Sequence, residues 1–132
     1  AGSDEQRAEW LPRVAAGQTI AAFALTEPDT GSDAANIGMT ARQDGSGWLL
    51  SGEKSYISNG TIADVLTVFA RTGGEGHRGI SAFIVRGDDP GLHVAERIEV
   101  IAPHPLARLR FGDVRAELIG QLGEGFRIAM QC

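Results

Sequence analysis

The chain begins with a helical pattern of hydrophobic positions. Ala8, Leu11 and Ala15 recur at near-helical spacing, with Trp10 beside them. Gly17 follows the last of these positions, where a glycine commonly ends a helix. The pattern therefore predicts one amphipathic helix over residues 4–16.

Short apolar runs separated by glycine and proline follow this helix. The first is a run of strand length, Thr19 to Leu25, which ends at the polar turn Glu27 to Asp33. The segment Asp44-Gly45-Ser46-Gly47 has the composition of a hairpin turn. Further β-rich segments are predicted at residues 39–43, 48–51, 54–57, 65–71, 80–86, 92–99 and 107–111.

Composition strengthens the β prediction. The 132 residues include 18 glycines, which together with many short strands are typical of a β-barrel or sandwich. A Gly-rich turn near the C-terminus leads into a second helix from about Glu124. Nothing resembles a linker between two domains, so one core is expected.

Charge and cysteine content exclude several functions. The net charge of -5 and the lack of a Lys/Arg cluster argue against nucleic-acid binding, and no apolar run is long enough to span a membrane. Cys132 is the only cysteine, and no signal peptide is visible, so a cytoplasmic location is expected. The histidines lack partners at ligand spacing, so no metal site is predicted; they are His77, His93 and His104.

A dense group of polar side chains follows the first predicted strand. The sequence there is Phe23-Ala24-Leu25-Thr26-Glu27-Pro28-Asp29-Thr30-Gly31-Ser32-Asp33. Taken alone, it is typical of a structural turn in which Asp33 caps a short helix. The same hydroxyl and glycine groups would also suit a polar cofactor, so both interpretations stay open at this point.

A second segment favours the functional interpretation. It reads Gly52-Glu53-Lys54-Ser55-Tyr56-Ile57-Ser58-Asn59-Gly60 and leads to the apolar run Val65 to Ala70. Together the two segments resemble the acyl-CoA dehydrogenase family, whose pattern is close to T-E-P-x-x-G-S-D and then G-x-K-x-[WYF]-I-[ST]-N-G. The resemblance covers about residues 5 to 130 and continues in Gly79–Val85, Pro90–Leu92, Leu109–Val114 and Gly123–Phe126.

The resemblance implies a mainly β fold, the antiparallel β-barrel of that family's middle domain, with short helical segments at both ends. It makes residues 1–18 the end of an N-terminal helical region, 19–118 the barrel and 119–132 the start of a C-terminal helical region. The chain lacks an initiator methionine, and both ends predict interrupted helices. We therefore expect a piece of a longer protein.

Because members of this family are flavoproteins, the resemblance implies an FAD site. A flavin needs hydrogen-bonding groups along one ring edge, donors for its pyrophosphate and a wall against one ring face. The Thr26 hydroxyl is the leading candidate for the ring edge, while Gly31 would allow close backbone approach. Ser32 would donate to the pyrophosphate and is also a candidate for substrate binding. The implied flavin contacts in this segment are Phe23, Ala24, Leu25, Thr26, Gly31 and Ser32.

The second segment is implied to contact the other side of the flavin. The family usually has Trp where this chain has Tyr56, and a tyrosine keeps the aromatic wall. Ser58 stands where a Thr or Ser of the family bonds near the reactive ring edge. Tyr56, Ile57 and Ser58 are therefore candidates for cofactor binding, with the Ile57 side chain expected in the core by strand alternation. The alternative for Tyr56 is plain core packing.

The implied reaction is α,β-dehydrogenation of an acyl-CoA thioester, in which a carboxylate base removes the α proton and a hydride leaves the β carbon. The family usually carries that base on the C-terminal helical bundle, beyond Cys132. No catalytic residue is therefore assigned here, and Glu27, Glu53 and Glu124 are not candidates. We expect no turnover and weak or absent FAD retention by the chain alone. The resemblance also implies an electron-transferring flavoprotein as electron acceptor and a full-length homodimer or homotetramer.

One segment departs from the family pattern. Where the family commonly reads K-x-G-x-R-x-S, this chain has Ile98-Glu99-Val100-Ile101-Ala102-Pro103-His104-Pro105-Leu106. The residues expected near the thioester are missing, which leaves the substrate open. A flavin oxidase or monooxygenase on the same scaffold is one alternative. A β-barrel that binds a partner without flavin chemistry is another.

Overall fold

The computed structural model describes residues 2–27, 37–74, 76–98 and 106–131. A short 3-10 turn, His77–Gly79, comes directly before the strand Ile80–Arg86. Within the described residues no helix is long and apolar enough to cross a membrane. The helices and strands are α1 Asp4–Ala15, β1 Ala21–Ala24, β2 Thr40–Asp44, β3 Gly47–Ser58, β4 Val65–Arg71, β5 Ile80–Arg86, β6 Leu92–Ile98, β7 Leu106–Ile119 and α2 Gly125–Met130.

The strands form one sheet that closes in a ring. Its order is β4, β2, β3, β7 and β5, and the ring closes because β5 also pairs with β4. β1 adds to β4, and β6 adds to β7. The long pairing of β3 with β7 runs from Trp48 opposite Ala116 to Ser58 opposite Leu106. The mainly β class is therefore confirmed, with a closed sheet and a helix near each end.

Two pairings depart from the expected antiparallel arrangement. β1 runs parallel to β4, with Ala21 opposite Val65. β2 meets β4 in parallel where Thr40 lies opposite Arg71. Parallel neighbours need a long connection rather than a tight turn, and such a connection leaves no local signal in the sequence. The sheet is therefore mixed.

Two glycines that were expected to separate strands lie inside them. Gly52 lies within β3 at φ 145°, where the register with β7 shifts just after Leu50. A Cβ on Gly52 would lie 3.1 Å from the Cα of Met39. This glycine therefore permits a bulge and a close approach instead of a turn. Gly112 likewise lies inside β7.

Buried side chains form two hydrophobic clusters on opposite faces of the sheet. One cluster occupies the face enclosed by the ring and takes its buried residues mainly from β3, β4, β5 and β7, while Ala41 of β2 packs against it. The other lies outside the ring, where Ile128 and Ala129 of α2 pack near Phe69 and Ile80. α2 is therefore docked on the outer face of β4 and β5.

The substitution Gly125→Ala is expected to displace α2 from the ring. A Cβ at this position would lie 2.6 Å from the Ser81 carbonyl carbon and 2.8 Å from the Ser81 Cα, and both atoms belong to the backbone of β5. We expect a loss of about 1–3 kcal/mol in the free energy of unfolding, measured by urea denaturation. Gly74→Ala is the matched control, because its Cβ would meet no atom within 4 Å. Equal losses for the two variants would contradict this prediction.

Candidate functional site

The two polar segments of the sequence meet at a groove beside the end of β1. The groove has a volume of about 430 Å³. Residues of β1 and the segment after it form one wall, and the end of β3 forms the other. The groove is lined by Ala21, Ala22, Phe23, Leu25, Thr26, Tyr56, Ile57, Ser58 and Asn59. The structure thus brings residues from both predicted segments to one place.

Among the described residues, Ala24 is the one predicted site residue that does not line this groove. Ala24 is fully buried in the cluster enclosed by the ring. Gly31 and Ser32 lie outside the described residues. Ile57 lines the groove, but only 1% of it is exposed, as expected from the core position assigned to its side chain.

A β-bulge in β3 turns Tyr56 out of the sheet. Lys54 lies opposite Leu109 and Ile57 lies opposite Ala107, so β3 has one more residue than β7 in this stretch. Tyr56 has φ 56°, a left-handed conformation that is uncommon for a tyrosine, and it is 64% exposed. The alternative that Tyr56 is core packing is therefore wrong. The bulge places an aromatic ring on the groove.

Two hydroxyl groups of the groove are free to bind a ligand. Within the described part of the chain, neither the Thr26 nor the Ser58 hydroxyl takes part in a side-chain hydrogen bond. Thr26 is half-buried and Ser58 is exposed. The carbonyl of Thr26 accepts a hydrogen bond of 2.8 Å from the Ser55 amide, which fixes the backbone beside its hydroxyl. Phe23 packs against Phe69 with ring centroids 5.0 Å apart.

A buried ion pair lies behind the groove. Lys54 Nζ is 2.9 Å from Glu27 Oε2 and donates to the Leu25 carbonyl at 3.0 Å. Glu27 also accepts bonds from the backbone amides of Gly38 at 2.6 Å and Met39 at 2.9 Å. The Lys54 side chain is fully buried, and the Glu27 side chain is 8% exposed. Both charges are therefore held by partners inside the protein.

Sequence reasoning left Lys54 without a role. Burial lowers the pKa of Lys54 to about 8, against the charge and hydrogen bond of Glu27, which raise it. One signal was present in the sequence: a lysine inside a strand next to a polar turn that contains a glutamate. A charged residue at a buried strand position needs a counter-ion, but the strand pattern alone does not show that this position is buried.

A larger groove of about 550 Å³ lies between α1 and the loop after β5. Two of its charged side chains form exposed ion pairs, since Arg86 pairs with Glu9 at 2.8 Å and Arg115 pairs with Asp44 at 3.0 Å. Asp89 accepts bonds from two backbone amides. Among the residues described, no group of three His, Cys, Asp or Glu side chains could hold a metal ion. The groove beside β1 is the better candidate site because residues of both predicted polar segments line it.

Comparison with known proteins gives consistent results. Residues 22–114 match the family described as acyl-CoA dehydrogenase, middle domain. The mitochondrial isobutyryl-CoA dehydrogenase of Dictyostelium discoideum is 41% identical, over 98% of this chain and 32% of its own length. A probable acyl-CoA dehydrogenase from Mycobacterium abscessus superposes with a TM-score of 0.94 at 34% identity, covering 98% of this chain and 36% of that one. The solved structure of PigA with FAD and proline has a TM-score of 0.91 at 38% identity, covering 96% and 35%. The chain thus spans about a third of the length of each of these proteins.

Proposed function

The chain belongs to the acyl-CoA dehydrogenase family, with residues 22–114 as its middle domain, and from that premise we propose that the groove beside β1 binds the flavin of FAD. The observation that carries this proposal is the convergence of Thr26, Tyr56 and Ser58 on one groove. These residues come from two segments that are distant in sequence. They supply two free hydroxyls and an exposed aromatic ring.

These residues fit what a flavin requires. The Thr26 hydroxyl and neighbouring backbone would bond the polar ring edge, and Tyr56 would cover a ring face. The Ser58 hydroxyl would form a hydrogen bond to the flavin ring near its other edge. Gly31 and Ser32 remain predicted contacts for the pyrophosphate, and Ser32 also for substrate. A bound flavin would supply a hydride acceptor for oxidation of the substrate. The solved relative PigA with FAD supports the choice of cofactor.

In the full-length protein we propose α,β-dehydrogenation of an acyl-CoA thioester. Glu27 is not placed to act as the base, because the ammonium of Lys54 and two backbone amides already engage its carboxylate. The family resemblance implies that the catalytic carboxylate lies on a helical bundle outside this chain, and inactivity of the isolated chain stays a prediction. An electron-transferring flavoprotein as electron acceptor and a homo-oligomeric assembly also belong to this proposal.

A flavin oxidase or monooxygenase is the second candidate. Two observations favour it: the chain departs from the family pattern between Ile98 and Leu106, and it is similar to the solved structure of the prolyl acyl carrier protein oxidase AnaB, with a TM-score of 0.91 at 33% identity, covering 96% of this chain and 35% of that one. Measuring oxygen consumption during substrate turnover separates the two functions. A dehydrogenase passes electrons to an added acceptor in the absence of oxygen, whereas an oxidase or monooxygenase consumes oxygen.

The substitution Thr26→Val tests the proposed flavin site. Valine keeps the shape of threonine but removes the hydroxyl, and one neutral hydrogen bond contributes about 0.5–1.5 kcal/mol. We therefore expect FAD to bind about 2- to 12-fold more weakly, measured by titration of flavin fluorescence with the protein made from its complete gene. Thr40→Val is the matched control, because Thr40 is exposed on β2 and does not line the groove. Absence of FAD binding by the unmodified protein, or equal affinities for both variants, would refute the proposed site.

A further inference from the structure

The two walls of the groove belong to strands that are not neighbours in the sheet. β1 pairs with β4, whereas β3 pairs with β2 and β7. The hydrogen bonds of the sheet therefore do not set the distance between the wall at Thr26 and the wall at Tyr56. Some other contact must hold these walls at a constant separation.

Among the described residues, three hydrogen bonds link the segment Leu25 to Glu27 to β3 behind the groove, and Lys54 makes two of them. Its ammonium group donates to the Leu25 carbonyl and to the Glu27 carboxylate, at 3.0 and 2.9 Å. The third bond runs from the Ser55 amide to the Thr26 carbonyl at 2.8 Å. Leu25 and Glu27, the neighbours of Thr26 in the chain, thus both bond to Lys54, which lies two positions before Tyr56.

Glu27 extends this connection to a third segment. Its carboxylate accepts the amides of Gly38 and Met39, and Met39 is 2% exposed within the enclosed hydrophobic cluster. The end of β1 is therefore anchored between the core and β3. Lys54 is the group in this arrangement that contacts the wall both before and after Thr26.

We infer that Lys54 is a positioning residue that sets the separation of the two groove walls and thereby the affinity of the groove for flavin. This inference rests on the function proposed above. Lys54 does not line the groove, so it acts through Leu25, Glu27 and the bulge at Tyr56. A buried charge needs good geometry and several partners to be tolerated, and the Leu25 carbonyl and the Glu27 carboxylate are such partners for Lys54.

The test uses Lys54→Met in the protein made from its complete gene. Methionine has a similar unbranched length but no charge or donor, so it fills the same space without the two bonds. Val114→Ala is the matched control for lost stability. Val114 is fully buried opposite Leu50, near the other end of β3 from the groove. Both variants are measured at a temperature well below their unfolding midpoints.

The first measurement is hydrogen exchange at the Ser55 amide, which needs no flavin. We measure the protection of this amide relative to the core amides of the same protein. In Lys54→Met we expect this relative protection to be about tenfold or more lower than in the unmodified protein, because the walls separate locally. In Val114→Ala its protection should change only as much as that of the core. Unchanged relative protection of Ser55 in Lys54→Met would overturn the inference.

The second measurement is FAD affinity together with the visible absorption spectrum of the bound flavin. We expect Lys54→Met to bind about tenfold or more weakly and with a shifted spectrum, since a loosely held site loses its fit, while Val114→Ala keeps both properties. Faster Ser55 exchange with unchanged affinity and spectrum would also overturn the inference. Failure of the unmodified protein to bind FAD would refute the proposed function alone, because the exchange measurement still decides whether Lys54 holds the walls.

Discussion

Replacing Glu27 with alanine is expected to lower the free energy of unfolding by about 3–5 kcal/mol, because it leaves a buried charge without its partner. The variant removes the carboxylate that pairs with Lys54 and accepts the amides of Gly38 and Met39. Each buried donor left unpaired adds to the cost. Urea denaturation measures the loss, which is a large part of the stability of a typical domain.

Asp44→Ala is the matched control for this variant. Asp44 pairs with Arg115 at a similar distance of 3.0 Å, but both side chains are more than half exposed. Exposed pairs contribute about 0–1 kcal/mol, so a small loss is expected. A loss for Glu27→Ala as small as that for Asp44→Ala would show that the buried pair does not stabilise the fold.

The cost of Glu27→Ala is expected to depend on pH. Burial lowers the pKa of Lys54 to about 8, and Glu27 opposes that shift, so the variant holds this proton even more weakly. The unfolded chains of both proteins keep the Lys54 proton to higher pH. As pH rises towards about 8, the variant therefore gains stability before the unmodified protein does, and the difference between them shrinks. Above about pH 8 the difference should level off, and a difference that grows through this range would contradict the assignment.

Replacing Phe83 with alanine is expected to cost about 3–5 kcal/mol in the free energy of unfolding, because it opens a cavity in the enclosed cluster. Phe83 is fully buried on β5, opposite Val68 of β4 and Leu118 of β7. It also packs against Trp48 of β3, with ring centroids 5.6 Å apart. The Phe83 side chain therefore fills the interior of the ring next to β5, the strand that closes it. Thermal denaturation measures the loss in the free energy of unfolding.

Phe83→Leu separates the loss of volume from the loss of the aromatic ring. Leucine fills most of the site, so we expect a loss of less than about 1.5 kcal/mol. Equal losses for the alanine and leucine variants would mean that the ring contact with Trp48, and not the filled volume, stabilises this position. The alanine prediction itself fails if the variant unfolds at the same midpoint as the unmodified protein.

The two walls of the groove beside β1 are held differently by the mixed sheet. β3 pairs with β2 on one edge and with β7 on the other, while β1 pairs with β4 on one edge. The groove lies where the second edge of β1 faces the bulged end of β3.

Local patterns in the sequence determined the kind and position of most elements. The predicted strands at 65–71 and 80–86 agree with Val65–Arg71 and Ile80–Arg86, and the predicted first helix ends within one residue of Ala15. The predicted hairpin turn joins Thr40–Asp44 to Gly47–Ser58. These features depend on residues close together in the chain, so composition and spacing are enough to specify them. The family resemblance also identified Thr26, Tyr56 and Ser58, which the groove brings together.

Only the tertiary structure decided the parallel pairing of β1 with β4, the passage of β3 through Gly52 and the burial of Lys54. Each of these features depends on a partner far away in sequence. A hydrophobic pattern shows which face of a strand is buried, but it does not show which strand lies beside it or which charge faces it. The bulge at Tyr56 is of the same kind, since it exists only relative to the register of β7. The sequence by itself therefore determined the elements and the chemistry of the groove, and long-range pairing determined its shape.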